Sequence, residues 1–191
     1  MSLVTYRGTK FNYENPTPEM IDVFDILRSL PRLNRFVGHS KRAYSVGEHS
    51  LLCYQMADKL GYSPREKLLT LIHDFTEAYV GDCPAPLKAL LPDFARIEKR
   101  VEEAIYSHFD IKPPTEEEHR KVKRIDLTML VIEMRDLTNH EWKSFINEHT
   151  YEEMLSEFQL SAKENSIDIY NQLFECLSEA VEQDYFYNAQ G

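Results

Sequence analysis

The 191-residue chain is expected to be all-α, a helical bundle of about six to eight helices. Three observations predict this. Apolar residues recur at steps of three and four in one segment after another, two segments open on Ser/Thr-x-x-Glu capping signatures, and no stretch alternates apolar and polar residues as a half-buried strand would.

Taken in order, residues 1–19 are polar and aromatic with two prolines, which predicts an extended lead packed on the body through Tyr6, Phe11 and Tyr13. From Met20, "MIDVFDILRSL" places Ile21, Phe24, Ile26 and Leu27 near one side at helical spacing, and Pro31 ends the run. Residues 31–44, "PRLNRFVGHSKRAY", hold no period and read as a functional loop. The next helix spans about 46–60, with Gly61 beyond its end as a C-terminal cap. Ser63, Pro64 and Glu66 then form a capping box that opens a helix expected to continue to about Val80.

"GDCPAPLK" breaks that helix before a short helical turn at 86–90. Phe94, Ile97, Val101, Ile105 and Phe109 mark an amphipathic helix over 93–109. A second capping box, Thr115 to Glu118, opens a long helix that turns Val122, Ile125, Met129 and Ile132 inward. Residues 150–182 carry one or two further helices, with Ile167, Tyr170, Leu173, Phe174 and Leu177 as the apolar set, and 183–191 is expected to be a flexible tail. A single domain over 1–191 is the natural division for this length.

A net charge of −10 argues against a broad grip on a nucleic-acid polymer, yet leaves room for a small phosphate-bearing ligand bound by a few local cations. Cys53, Cys83 and Cys176 are odd in number and show no CxxC spacing, which points to a reducing cytoplasm rather than a disulfide framework. No apolar run approaches a membrane span, and the first twenty residues lack an export signal.

Chemistry concentrates in "LIHDFTEAYVGD". On one continuous helix His73 and Glu77 stand one above the other, and Asp74 is close enough to converge with them. Such groups inside an apolar run need partners, because an isolated buried charge is costly; a divalent metal is one partner, a satisfied core histidine with a solvated Glu77 the plainer alternative. His49, at the head of another helix, and Asp126, within "RIDLTML", extend the set to two histidines and two aspartates on three helices, a plausible mixed nitrogen and oxygen ligand set.

These residues, in the order His49, His73-Asp74, Asp126, resemble the H…HD…D signature of the HD-domain phosphohydrolase superfamily. The segments "LNRF", "SVGEHSLL", "HDFTEAYVGDCPAPLK", "IEKRVEEAI" and "KRIDLTMLVIEM" are similar, in the same order, to those of bacterial 5'-deoxynucleotidases over roughly residues 20–137. The resemblance implies an HD-domain helical bundle in which His49, His73, Asp74 and Asp126 hold one divalent metal (Mn, Co, Fe, Zn or Ni). It further implies that Glu77 is the general acid/base, that Asp82 supports the leaving group or the water network, that Arg35 binds phosphate, and that Lys88 assists. The implied activity is hydrolysis of 5'-deoxynucleoside monophosphates by a metal-activated water, the implied assembly a homodimer or higher homo-oligomer.

Phe36 departs from the pattern, standing where the deoxynucleotidases carry Trp. His39, Lys41 and Arg42 add cations near the presumed phosphate side, as a triphosphohydrolase would use and as a solvated basic loop would also show. A non-catalytic module that binds metal and nucleotide is the alternative outside enzymology. Glu48 and Asp82 are the candidates for orienting the metal ligands, and His108, His119, His140 and His149 read as surface residues.

Overall fold

In the computed structural model, which describes residues 2–160 and 166–189, the lead is more ordered than an extended strap. Leu3–Val4 (β1) and Lys10–Phe11 (β2) pair antiparallel, with Leu3 opposite Phe11, and Gly8 takes a φ of +90° in the turn between them. Phe11 is fully buried and its ring stacks 4.4 Å from Tyr79, while the Tyr13 hydroxyl donates to the Tyr79 carbonyl at 2.6 Å. The lead thus fastens onto the segment that follows the His-Asp pair.

The helices are Val23–Ser29 (α1), Val46–Lys59 (α2), Pro64–Ile72 (α3), Glu77–Val80 (α4), Ala85–Lys88 (α5), Pro92–His108 (α6), Glu116–Leu137 (α7) and Ser166–Ala189 (α8). The fold is all-α, as the periodicity predicts. Both capping boxes form: Ser63 and Thr115 each accept the amide of the glutamate three residues on, and each glutamate reaches back to the cap amide. Asp22 caps α1 by accepting the Phe24 and Asp25 amides, and Ser45 caps α2 by accepting the Glu48 amide.

Helices α2, α3 and α8 pack on one another, and α7 lies across α2 and α3. One core cluster joins the lead, α1, α2, α3, α6 and α8 through Phe11, Leu27, Leu69, Phe75, Val101 and Leu173; a second joins α2, α7 and the 151–160 segment through Tyr44, Met56, Met129 and Phe158. His49 sits between them. Gly47 makes the close approach possible: a Cβ there would lie 3.0 Å from the Pro31 nitrogen and 3.1 Å from side-chain atoms of Ile169 and Leu173.

Two helices differ from expectation. The helix expected over 63–80 stops at Ile72. The amides of Phe75, Glu77 and Ala78 bond three residues back, and the Thr70 carbonyl accepts from the His73 ring at 2.7 Å. Helix α8 buries Ile169, Leu173, Leu177 and Ala180 and leaves Ile167 and Phe174 exposed, so its inner face is rotated from the predicted one. It also runs on to Ala189 through most of the expected flexible tail, of which residues 190–191 lie outside the described residues.

Candidate metal centre

Both histidines are held by the ring nitrogen that faces away from the site. His49, fully buried in the first turn of α2, donates its Nδ1 hydrogen to Glu133 Oε1 at 2.5 Å. His73, where α3 ends, donates its Nδ1 hydrogen to the Thr70 carbonyl. Each bond ties up Nδ1 and turns Nε2 toward the site, and the two Nε2 atoms lie 3.3 Å apart.

The carboxylates close in on the same point. Asp74 Oδ2 lies 3.5 Å from His49 Nε2 and 3.3 Å from His73 Nε2, and Asp126 Oδ1 lies 3.5 Å from His49 Nε2. Donor atoms about 2.1 Å from a shared tetrahedral centre are about 3.4 Å apart. His49, His73 and Asp74, with Asp126 against His49, therefore stand at the spacing of ligands around a divalent ion. Cys53, one helical turn after His49, brings a third donor type: the ligand atoms of His49, Cys53 and His73 all lie within 4.8 Å of one another, close enough to hold a metal. Its sulfur is 3.5 Å from Nε2 and 4.0 Å from Nδ1 of His49, so it lies beside the ring rather than beyond Nε2. Burial pushes the thiol up, which disfavours the thiolate that a metal prefers.

The charged groups of the cluster shift one another strongly. Burial and Arg35 oppose a proton on His49, yet Cys53, Glu133 and Asp126 outweigh them and hold the imidazole well above its ordinary value. Burial alone would raise Asp74 and Asp126; the two histidines, joined by Arg35 at Asp74 and Lys123 at Asp126, bring both below the ordinary range. Burial, with Asp74 and Asp82, pushes the Glu77 carboxyl up to about 9, and its Oε2 is buried without a hydrogen-bond partner. The i→i+3 turns set Asp74 rather than His73 in line with Glu77, which accounts for the strong influence of Asp74 on it. Gly81, at φ +79°, then turns the chain to Asp82, which burial raises against the pull of Arg35.

Glu133 ties the centre together and was not legible as a site residue. Beyond His49, it accepts the Tyr44 hydroxyl at 2.9 Å and Arg35 Nε at 3.3 Å, with Arg35 NH2 at 3.2 Å. Arg35 NH1 reaches Asp74 Oδ2 at 3.3 Å. Arg35 is placed by backbone pairing of Asn34 with Ser45, its amide donating to the Tyr44 carbonyl at 2.8 Å, and the chain then reverses through left-handed Phe36 and Val37, at φ +56° and +53°. Glu133 follows Asp126 by seven residues and Cys53 follows His49 by four, spacings that put each pair on one helix face.

The remaining site candidates separate. Phe36 packs on the Tyr44 core cluster near Arg35. Lys88 bonds both oxygens of Glu98, at 2.8 and 3.0 Å, and lines a cavity of about 250 Å³ with His73 and Asp74. The loop residues and Glu48 have partners of their own or face solvent. Glu48 pairs with Arg42, its two carboxylate oxygens 2.5 and 2.9 Å from the guanidinium nitrogens. Lys41 bonds backbone at the end of α7, its Nζ 3.2 Å from the Asp136 carbonyl, and His39 is exposed. A second cavity, of about 150 Å³, opens on His73, Asp74 and Asp126 and is walled by Leu69, Tyr106 and Val122, with His119 and Lys123 at its polar side. His108, His119, His140 and His149 are exposed.

Fold and site together define an all-α protein with a candidate metal centre, compatible with an HD-domain fold. No protein-family profile matches the chain. It is 40% identical over 134 residues, 70% of either chain, to the uncharacterized protein YfdR of Escherichia coli K12, and it belongs to that protein's family. An uncharacterized protein of Rhodobacter capsulatus is 31% identical over 109 residues, 54% of this chain and 56% of its own length. Among the described residues no helix is long and apolar enough to cross a membrane.

Proposed function

We propose that the protein is a metal-dependent phosphohydrolase of the HD type that acts on small deoxynucleotides, 5'-deoxynucleoside monophosphates first. The observation that carries this reading is the convergence of two Nδ1-anchored histidines and two aspartates beside a buried arginine and a buried, proton-holding glutamate. His49, His73, Asp74 and Asp126 would hold the cation, which when bound neutralises phosphoryl charge and makes water a better nucleophile. Cys53 stands against the His49 ring, its sulfur 3.5 Å from Nε2.

The chain's own groups supply the rest. Arg35 offers a fixed guanidinium to the phosphoryl oxygens, its stem locked by Glu133. Glu77 holds a proton at neutral pH and can give it to the 5' oxygen as the phosphorus–oxygen bond breaks. The attacking water delivers its oxygen to phosphorus and returns a proton to Glu77, so the carboxyl ends as it began. Asp82 lies within electrostatic reach of Arg35 and Asp74 and is suited to order the water between them. The apolar-walled cavity supports the reading by offering a place for the organic part of a substrate beside the ligands.

The engagement of Arg42 with Glu48 and of Lys41 with backbone favours a monophosphate over a triphosphate, since neither then serves extra phosphates. Incubation of purified protein with deoxy- and ribonucleotides at each phosphorylation level, with Mn or Co, tests the assignment. Inorganic phosphate should be released from deoxynucleoside monophosphates. Release of triphosphate would shift the substrate, and silence across every nucleotide would defeat the enzymatic reading.

A further inference from the structure

A cavity of about 260 Å³ lies between the N-terminal hairpin, α1 and α4, and none of its lining residues lines the two cavities at the histidines. Its wall contains groups that folding leaves unmatched. Asp25 is only 6% exposed; its Oδ1 accepts the Arg7 amide at 3.0 Å, while its Oδ2 is buried without a hydrogen-bond partner. Arg28 and Arg32, one turn apart, form no ion pair among the described residues, in a chain whose net charge is −10. Instead the Arg28 guanidinium lies 3.6 Å over the Tyr6 ring, and Arg32 donates to the Arg28 carbonyl.

We propose that this cavity is a second binding site, for a small phosphorylated molecule that also carries an N–H or O–H donor, nucleoside monophosphates being the simplest class. Two guanidiniums without carboxylate partners suit a doubly charged anion better than a single carboxylate. The orphaned Asp25 oxygen asks for a donor, since a buried acceptor left unmatched is destabilising. Tyr6, 73% exposed, offers a face for a flat ring. The volume is near the lower end of ligand pockets, about 300–1,000 Å³, and suits a small molecule rather than a polymer.

The site backs onto the segments that carry the metal-centre residues: Ala78 and Tyr79 follow Glu77 directly, and Leu33 precedes Arg35 by two positions. Binding here does not require turnover or a metal, so it can be measured with the metal centre chelated.

The experiment is an amide-shift titration of the full chain in EDTA with dAMP, deoxyadenosine and inorganic phosphate as separate probes. dAMP should move the amides of Ser29, Leu33 and Ala78. Deoxyadenosine and phosphate should each bind at least 10-fold more weakly than dAMP, and so should dAMP to the R28A/R32A double variant. Arg32→Gln, at an exposed position, is measured in parallel and should weaken dAMP several-fold whether or not the double variant folds. Shifts confined to residues around His73, or affinity unchanged in Arg32→Gln, would overturn the site. Phosphate binding as tightly as dAMP would overturn the role given to the nucleoside part.

Discussion

Replacing Glu133 by glutamine keeps the shape of the side chain and removes its charge, and the structure sets the size of the result. One carboxylate oxygen takes the His49 ring and the Tyr44 hydroxyl; the other takes the Arg35 guanidinium. An amide can keep only one of these oxygens as an acceptor. If it stays with His49, its NH2 group faces the Arg35 donors, and Arg35 is left to Asp74 alone. Hydrogen bonds to charged groups contribute about 1.5–3 kcal/mol each, and breaking one side of a buried ion pair costs about 3–5 kcal/mol. Arg35 and His49 hold Glu133 ionised against its burial, so the lost charge is a real one. Orienting partners of metal-bound histidines typically contribute 10–100-fold in affinity. Glu133→Gln should therefore lower the urea midpoint by the equivalent of about 3 kcal/mol, and weaken Zn or Mn binding by about 10-fold or more in competition with a chelator. An affinity within twofold of wild type, in a variant that still folds, would refute the argument that Glu133 orients the centre.

Glu77→Gln should keep the fold and the metal yet lose hydrolysis; retained turnover would remove Glu77 from the proposed chemistry. In chelator, a folded-state carboxyl raised to about 9 from 4.5 makes wild type lose stability as pH rises between those values. Glu77→Gln removes that term, so urea titrations across this range should show the variant gaining on wild type, by at most about 1.4 kcal/mol per pH unit; parallel curves would contradict the assignment. Gly47→Ala should cost about 1–3 kcal/mol in urea unfolding, because the new methyl meets Pro31 backbone as well as two side chains. Val37→Gly should be neutral or stabilising by about 1 kcal/mol, since a β-branched, 65% exposed residue is released from a left-handed conformation; a clear loss would contradict this.

What was legible in the sequence was mostly local. The boxes at Ser63 and Thr115 depend on residues three apart, and the inward faces of α6 and α7 on simple periodicity, so both can be read along the chain. The end of α3 could not be read that way, because it depends on the His73 ring taking the Thr70 carbonyl. Helix α8 was mis-phased because Phe24 stacks with Phe174 at the surface, and an aromatic at helical spacing looks the same whether it meets a core or another exposed ring. In the candidate metal centre, His49, His73 and Asp74 come within 3.5 Å of one another and Asp126 within 3.5 Å of His49. Glu133 was hidden inside "LVIEMRDL", where a lone acid reads as the solvent side of a helix; only its distance to His49 reveals it as fully buried. Arg42 and Glu48 show another long-range effect, since two residues given separate roles along the chain pair with each other.

The central claim is that the His49 and His73 rings are set to share one cation. Elemental analysis and calorimetric titration of wild-type protein beside His73→Ala test it most directly. Wild type should carry a single equivalent of a divalent metal that EDTA removes and titration restores, and His73→Ala, folded by circular dichroism, should bind at least 10-fold more weakly. A wild-type chain that takes up no divalent metal, or a His73→Ala variant that holds it as tightly, would contradict the account.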